Sequence, residues 1–183
     1  MNVLTAQSAK DFAKAQQLNF IERCLNLFQG RSNDSLSFEA VRQSLKLQNP
    51  IDKGLQEIEL DKIVGSVSKY RLFSRTFLPN SCRDEERWRR VDELFHNQGF
   101  EPIEVFKVGQ VYFVRDGHHR ISVNRTHGIK TIEAYVAEYN TDVPIDSRDD
   151  LDRLLLSADS KMGQKHGLAR TLVFTWGALA GLR

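Results

Sequence analysis

Asp116, Gly117, His118, His119 and Arg120 follow directly on Val111, Tyr112, Phe113, Val114 and Arg115. The four apolar or aromatic residues read as a buried strand. Asp116 and Gly117 break it, and residues 118–127 follow as a helix with Ile121 and Val123 as apolar positions and Gly128 as its stop. A strand, a glycine turn and a helix N-terminus carrying His, His and Arg can hold an anion. The first amides of a helix have no internal partners and carry the positive end of its dipole, so a phosphate group suits them. Gly117 lets the backbone approach closely, and Arg120 can offer two parallel donors to phosphate oxygens. A plainer arrangement uses the same residues: Arg120 paired with a structural carboxylate, and the histidines as exposed helix-start residues.

Asp116 and Glu104 are the carboxylates expected near such a cleft, as a magnesium ligand (Asp116) or a general base. Each also has a structural reading, Asp116 as a turn residue bonding nearby amides and Glu104 as an exposed strand residue. Transition-metal ligation by His118 and His119 is not expected, because adjacent side chains on a helix diverge and no Cys or carboxylate shows matching spacing. Cys24 and Cys82 lie far apart, which points to a reducing, cytoplasmic setting rather than a disulfide scaffold. Lys10, Asp11 and Lys14 interrupt any apolar leader, and no apolar run reaches membrane-spanning length.

The net charge of +2 says little, but its distribution says more. Residues 69–90 hold seven basic side chains (Lys69, Arg71, Arg75, Arg83, Arg87, Arg89, Arg90) against Asp84, Glu85 and Glu86. Residues 133–159 hold eight acids against Arg148 and Arg153. The basic stretch suits a polyanion, with Arg87, Arg89 and Arg90 as DNA phosphate contacts, or equally a solvated surface.

Several elements must position these residues. Residues 8–29 carry Phe12, Ala15, Leu18, Ile21, Leu25 and Phe28 at helical spacing, with Ser8 as a cap and Gly30 as an end. A shorter helix presents Phe38, Val41 and Leu45, and packing on the core or on a second copy is expected of this pair rather than DNA reading. Residues 55–60 alternate as a strand, and residues 61–68 return to the surface. Ser81 caps a charged helix with Trp88, Val91 and Leu94 or Phe95 inward, closed by Gly99. Residues 103–108 and 111–114 form strands joined at Gly109 and Gln110, and residues 132–136 supply the last strand. Beyond Asn140 come an acidic stretch and an apolar helix, residues 168–182.

The Gly117-His118-His119-Arg120 turn resembles the signature of the ParB/sulfiredoxin superfamily, in which a Gly-x-x-Arg turn opens a helix and holds nucleotide phosphates. The likeness extends in order through the flanks. IELDKIVGSVSKYRLFSR (residues 58–75) resembles the first strand and the arginine-bearing box. VDELFHNQGFEPIEVFKVGQVYFV (residues 91–114) resembles the helix, the Gly-x-x-x-Pro-Ile-x-Val strand and the hairpin, and HGIKTIEAYVAE (residues 127–138) the closing strand. The resemblance implies an α+β (α/β) fold, a small mixed sheet with packed helices, over residues 53–140. A helical extension, residues 1–52, precedes it and an acidic-to-apolar appendage, residues 141–183, follows. It also implies phosphate contacts from Gly117, His118, His119 and Arg120, with Arg71 and Arg75 from the second box. The superfamily includes CTP-driven DNA clamps, sulfinic-acid reductases, a free-serine kinase and DNA-cutting proteins. His118 stands where sulfiredoxins carry their cysteine, which argues against reductase chemistry. His118 and His119 replace the acid and arginine of the ParB turn, and residues 139–183 are too short and acidic for its DNA-reading and dimer segments. The expectation is a nucleotide-binding protein taking ATP, ADP or CTP with Mg2+, acting as an NTPase associated with DNA. The alternatives are a small-molecule kinase or a nucleotide-sensing module, and a homodimer could form through the terminal helices.

Overall fold

The computed structural model describes residues 3–28, 35–68, 74–79 and 82–145. Arg71, Ser81, Gly30 and both helices expected after Asn140 fall outside these residues. The described chain is mixed α+β. Strands β1 (Leu36–Ser37), β2 (Ile51–Glu59), β3 (Ile63–Ser66), β4 (Ile103–Val108), β5 (Val111–Asp116) and β6 (Thr131–Tyr139) form one sheet in the order β1-β3-β5-β4-β6-β2. The helices are α1 (Val3–Phe28), α2 (Phe38–Ser44), α3 (Glu85–Asn97) and α4 (His118–Thr126). Pairing is parallel for β1 with β3, β3 with β5 and β4 with β6, and antiparallel at the β4–β5 hairpin and between β6 and β2.

The apolar run of β5 is explained by burial on both faces. Tyr112 and Val114 join Ile58, Ile63, Ile103, Val105, Ile121 and Val136 on one side. Val111 and Phe113 join Phe38, Val41, Val64, Val108 and Tyr139 on the other, where the Phe38 ring lies 4.8 to 5.5 Å from those of Phe106, Phe113 and Tyr139. Short α2, capped by Ser37, therefore closes one face of the sheet. Across the other face a third cluster, Phe12, Ala15, Leu78, Trp88 and Val123, joins α1, α3 and α4. Its centre is Trp88, fully buried with its indole donating to Ser122 Oγ at 2.9 Å.

Two elements depart from the sequence expectation. Helix α1 starts at Val3, not at Ser8, because nothing in residues 3–7 breaks a helix. Ser8 is buried inside it, with its hydroxyl 3.2 Å from the Thr5 carbonyl and 3.3 Å from Glu93. Residues 63–66 do not return to the surface but form the fully buried strand β3. Gly65 masks the strand in the sequence, since glycine interrupts an apolar pattern. It is required there because a Cβ would stand 2.4 Å from the Leu36 carbonyl and 2.6 Å from the Phe113 ring. In α1 the apolar face also divides: Phe12 and Ala15 are buried, whereas Ile21 and Leu25 are exposed.

Helix α3 is closed just beyond its C-cap Gln98 by Gly99, in the left-handed conformation (φ 78°), whose amide bonds the Leu94 carbonyl at 3.2 Å. On its inner side Asp92 has no exposed surface and bonds His127 Nε2 at 2.8 Å. Burial pushes the Asp92 carboxyl up from the ordinary carboxylate range, against the lowering by the His127 hydrogen bond and by His96.

Candidate functional site

The signature turn sits where β5 leaves the sheet and α4 begins. Gly117 occupies the N-cap position with φ 109°, and no side chain caps the helix. The first turn of α4 contains no acid. Glycine is favoured at position 117 on two counts: the backbone angle of Gly117 is one that L side chains rarely adopt, and a Cβ would lie 2.4 Å from Ile103 Cγ2. The result is a close approach of backbone to a small open cleft of about 80 Å³ lined by Arg87, Val91, Asp116, Gly117, His118, His119 and Arg120.

The side chains of the turn are used differently from the simplest expectation. His118 and His119 are not exposed helix-start residues; only 3% and 6% of their surfaces meet solvent. The His118 ring runs inward, with Nε2 2.7 Å from Ser66 Oγ at the end of β3 and the Phe77 ring 5.9 Å away. Arg120 is held by the protein itself. Its Nη1 donates to the Glu101 and Pro102 carbonyls, both at 2.8 Å, and its Nη2 to Asp116 Oδ2 at 2.6 Å. The guanidinium thus braces the loop before β4 against the turn, which leaves Nε and one Nη2 hydrogen for other acceptors. Asp116 is exposed and is the one carboxylate among the described residues that line the cleft. Glu104 pairs with Arg115 at 3.4 Å and is not among the lining residues.

The second box meets the turn through its ends. Ser66 touches His118, and residues 74–79 form a tight turn that drives Phe77, with φ 61° and no exposed surface, in beside the same imidazole. Helix α1 secures that turn: Asn19 Nδ2 donates to the Pro79 carbonyl at 3.1 Å, and Thr76 Oγ1 to Glu22. Arg75 is half-buried in this turn and does not line the cleft.

Arg87, Arg89 and Arg90 do not form a common basic face. Arg87 is exposed and contributes to the cleft. Arg89 turns to α1, donating to the Thr5 carbonyl at 2.8 Å and to Ser8 Oγ at 3.2 Å. Arg90 pairs with Glu86 one turn back. On a helix Arg89 points about 100° or more away from its two neighbours, whereas Arg87 and Arg90, three residues apart, lie on the same exposed side. Ser66 and Phe77 were not foreseen as neighbours of the turn, since both are distant from it in sequence.

No family model matches the chain, and no curated protein matches it. Among the described residues no helix is long and apolar enough to cross a membrane. Among solved structures the chain is similar to the sulfiredoxin of Arabidopsis thaliana, at 21% identity and a TM-score of 0.36, over 46% of this chain and 84% of that one.

Proposed function

We propose that the Gly117 turn binds the phosphate of a nucleotide, ATP, ADP or CTP with Mg2+, in a domain of the ParB/sulfiredoxin type. The observation that carries this reading is the uncapped N-terminus of α4, opening into a cleft whose lining includes the exposed Arg87. Backbone amides and a guanidinium together make a charge-assisted anion site. Size favours a phosphate group over a whole ligand: about 80 Å³ is well below the roughly 300–1,000 Å³ of pockets that engulf drug-sized molecules. The nucleoside would therefore lie along the surface. Asp116 is the residue available to a magnesium ion that arrives with the nucleotide, and binding there competes with its Arg120 contact.

Hydrolysis or phosphoryl transfer would build on this phosphate grip, and a small-molecule kinase or a nucleotide sensor uses the same grip. Contact with DNA phosphates would run through Arg87 and the exposed Arg90 rather than Arg89, which is bound to α1. Sulfinic-acid reduction is disfavoured by His118 at the position of the thiolate.

Titration calorimetry with ATP, ADP, CTP, GTP and inorganic phosphate, each with Mg2+, tests the reading. Saturable binding is expected, and Arg87→Ala should weaken it about tenfold to a hundredfold, the value of a hydrogen bond to a charged group. Arg87→Ala is cleaner than Arg120→Ala, which would also release Glu101, Pro102 and Asp116. No binding by any of these ligands, or undiminished binding by folded Arg87→Ala, would overturn the assignment.

A further inference from the structure

Away from the cleft, four side chains from three helical segments converge on one point. Asp11 comes from α1, Asp92 and His96 from one face of α3 at i,i+4 spacing, and His127 from the end of α4. One potential ligand atom from each lies within 4.8 Å of all the others. His127 Nε2 is 2.8 Å from Asp92 Oδ1, while His96 Nε2 is 3.8 Å from Asp92 Oδ2 and 3.6 Å from Asp11 Oδ2. We propose that Asp11, Asp92, His96 and His127 bind a divalent transition metal ion of the zinc class, which staples the N-terminal helix to α3 and α4.

A second observation points into the cluster. Asp92 has no exposed surface, and its Oδ2 is buried without a hydrogen-bond partner among the described residues. Buried carboxylate oxygens normally have a donor or a cation, because removing them from water costs several kcal/mol. The groups facing this oxygen are imidazoles and a second carboxylate rather than a lysine or arginine. Two carboxylates brought together repel each other unless an imidazolium or a metal ion lies between them; Asp11 also accepts from Gln7 Nε2 at 3.1–3.2 Å. A metal ion would answer both needs.

The donor set selects the metal. Two imidazole nitrogens and two carboxylate oxygens suit zinc and its neighbours, whereas calcium and magnesium prefer all-oxygen surroundings. Four protein ligands make a closed, structural type of site. Zinc bonds of about 2.0–2.2 Å in a tetrahedron place donors roughly 3.3–3.6 Å apart. The widest pair here must therefore close by at most about 1.2–1.5 Å, and the side chain at the rim, His96, is 31% exposed and has room to move. Phe95 stacks on His127 with ring centroids 4.5 Å apart, which holds that imidazole in place from the other side. The pair that meets, His96 and His127, is distant in sequence and is brought together by the packing of α3 on α4.

The full chain, without an affinity tag, would be stripped with chelator and titrated with Zn2+ by calorimetry and with Co2+ by visible absorption. One Zn2+ per chain with a dissociation constant below about 1 µM is expected, with tetrahedral d–d bands for Co2+. His96→Gln alters the partly exposed rim position, and Asp11→Asn keeps the size of a buried side chain that also accepts from Gln7 Nε2, so both should keep the fold. Each should weaken Zn2+ binding at least about a hundredfold, beyond the tenfold to hundredfold typical of losing a mere supporting contact, and abolish the Co2+ bands. Cys24→Ser with Cys82→Ser should change neither readout. Absence of saturable binding below about 100 µM, or binding and spectra unchanged in both ligand variants, would overturn the proposal.

Discussion

Replacing Gly117 by alanine isolates the structural demand of the turn, and its cost can be worked from two contacts. The backbone there has φ 109°, and forcing an L residue into such a conformation costs about 1–3 kcal/mol. The new Cβ would also stand 2.4 Å from Ile103 Cγ2 and 2.8 Å from Ile103 Cβ. Ile103 is fully buried in β4, beside Ala134 of β6, so it has nowhere to retreat. Overpacking of this kind adds about 1–3 kcal/mol. The expected loss is therefore about 2–6 kcal/mol, against a typical stability of 5–15 kcal/mol. Gly128→Ala is the matched control. It also has positive φ, at 76°, but a Cβ there meets nothing within 4 Å, so only the backbone cost of about 1–2 kcal/mol applies. Urea unfolding of the two variants and the parent, followed by circular dichroism with common m-values, measures the difference. If Gly117→Ala and Gly128→Ala lose the same stability within about 0.5 kcal/mol, Ile103 does not press on the turn and the account of its geometry is wrong.

Two further outcomes follow from residues whose charges are spent inside the protein. Arg89→Ala should lower stability by about 1–2 kcal/mol through loss of its bonds to Thr5 and Ser8, yet leave nucleotide affinity within about twofold; a large affinity loss with unchanged stability would reverse its assignment. Glu138 has its carboxyl held below the ordinary range by hydrogen bonds from Lys107 at 2.9 Å and Lys53 at 3.2 Å, in spite of partial burial. A depressed folded-state pKa gives stability that is complete above the unfolded value, about 4.3, and disappears as pH falls through the lower folded value. The difference between parent and Glu138→Gln should thus be about 0.5–1 kcal/mol at neutral pH and vanish in acid, and a difference independent of pH would exclude the ion pairs as its source.

What the sequence made legible was local. The β4–β5 hairpin at Gly109, helix α4 with its glycine at each end, and the inward Trp88 all follow from spacing within a few residues. Strand β3 was not legible. It has four residues, one of them glycine, and its burial depends on β1 and β5 lying on either side of it. The start of α1 was misread because a possible cap, Ser8, is common in sequence, whereas its actual role comes from Glu93 and Arg89 of α3, more than eighty residues away. The candidate site was legible as a turn but not as a set of side-chain partners. Nothing near His118 in sequence announces Ser66 or Phe77, and nothing near Asp92 announces Asp11 or His127.

That distinction bears directly on what a cluster of arginines means. Seven basic residues within residues 69–90 look, as a string, like the footprint of a polyanion. Of the three in α3, Arg89 turns away to a carbonyl and a hydroxyl on α1, while Arg90 meets a carboxylate one turn away and Arg87 the cleft. An extended phosphate backbone needs several cations on one surface, and its affinity grows with the number neutralised. A single phosphate needs one guanidinium and a few amides. Of the α3 arginines, Arg89 counts toward neither, whereas Arg87 at the cleft and the exposed Arg90 three residues on are the cations that either ligand would meet.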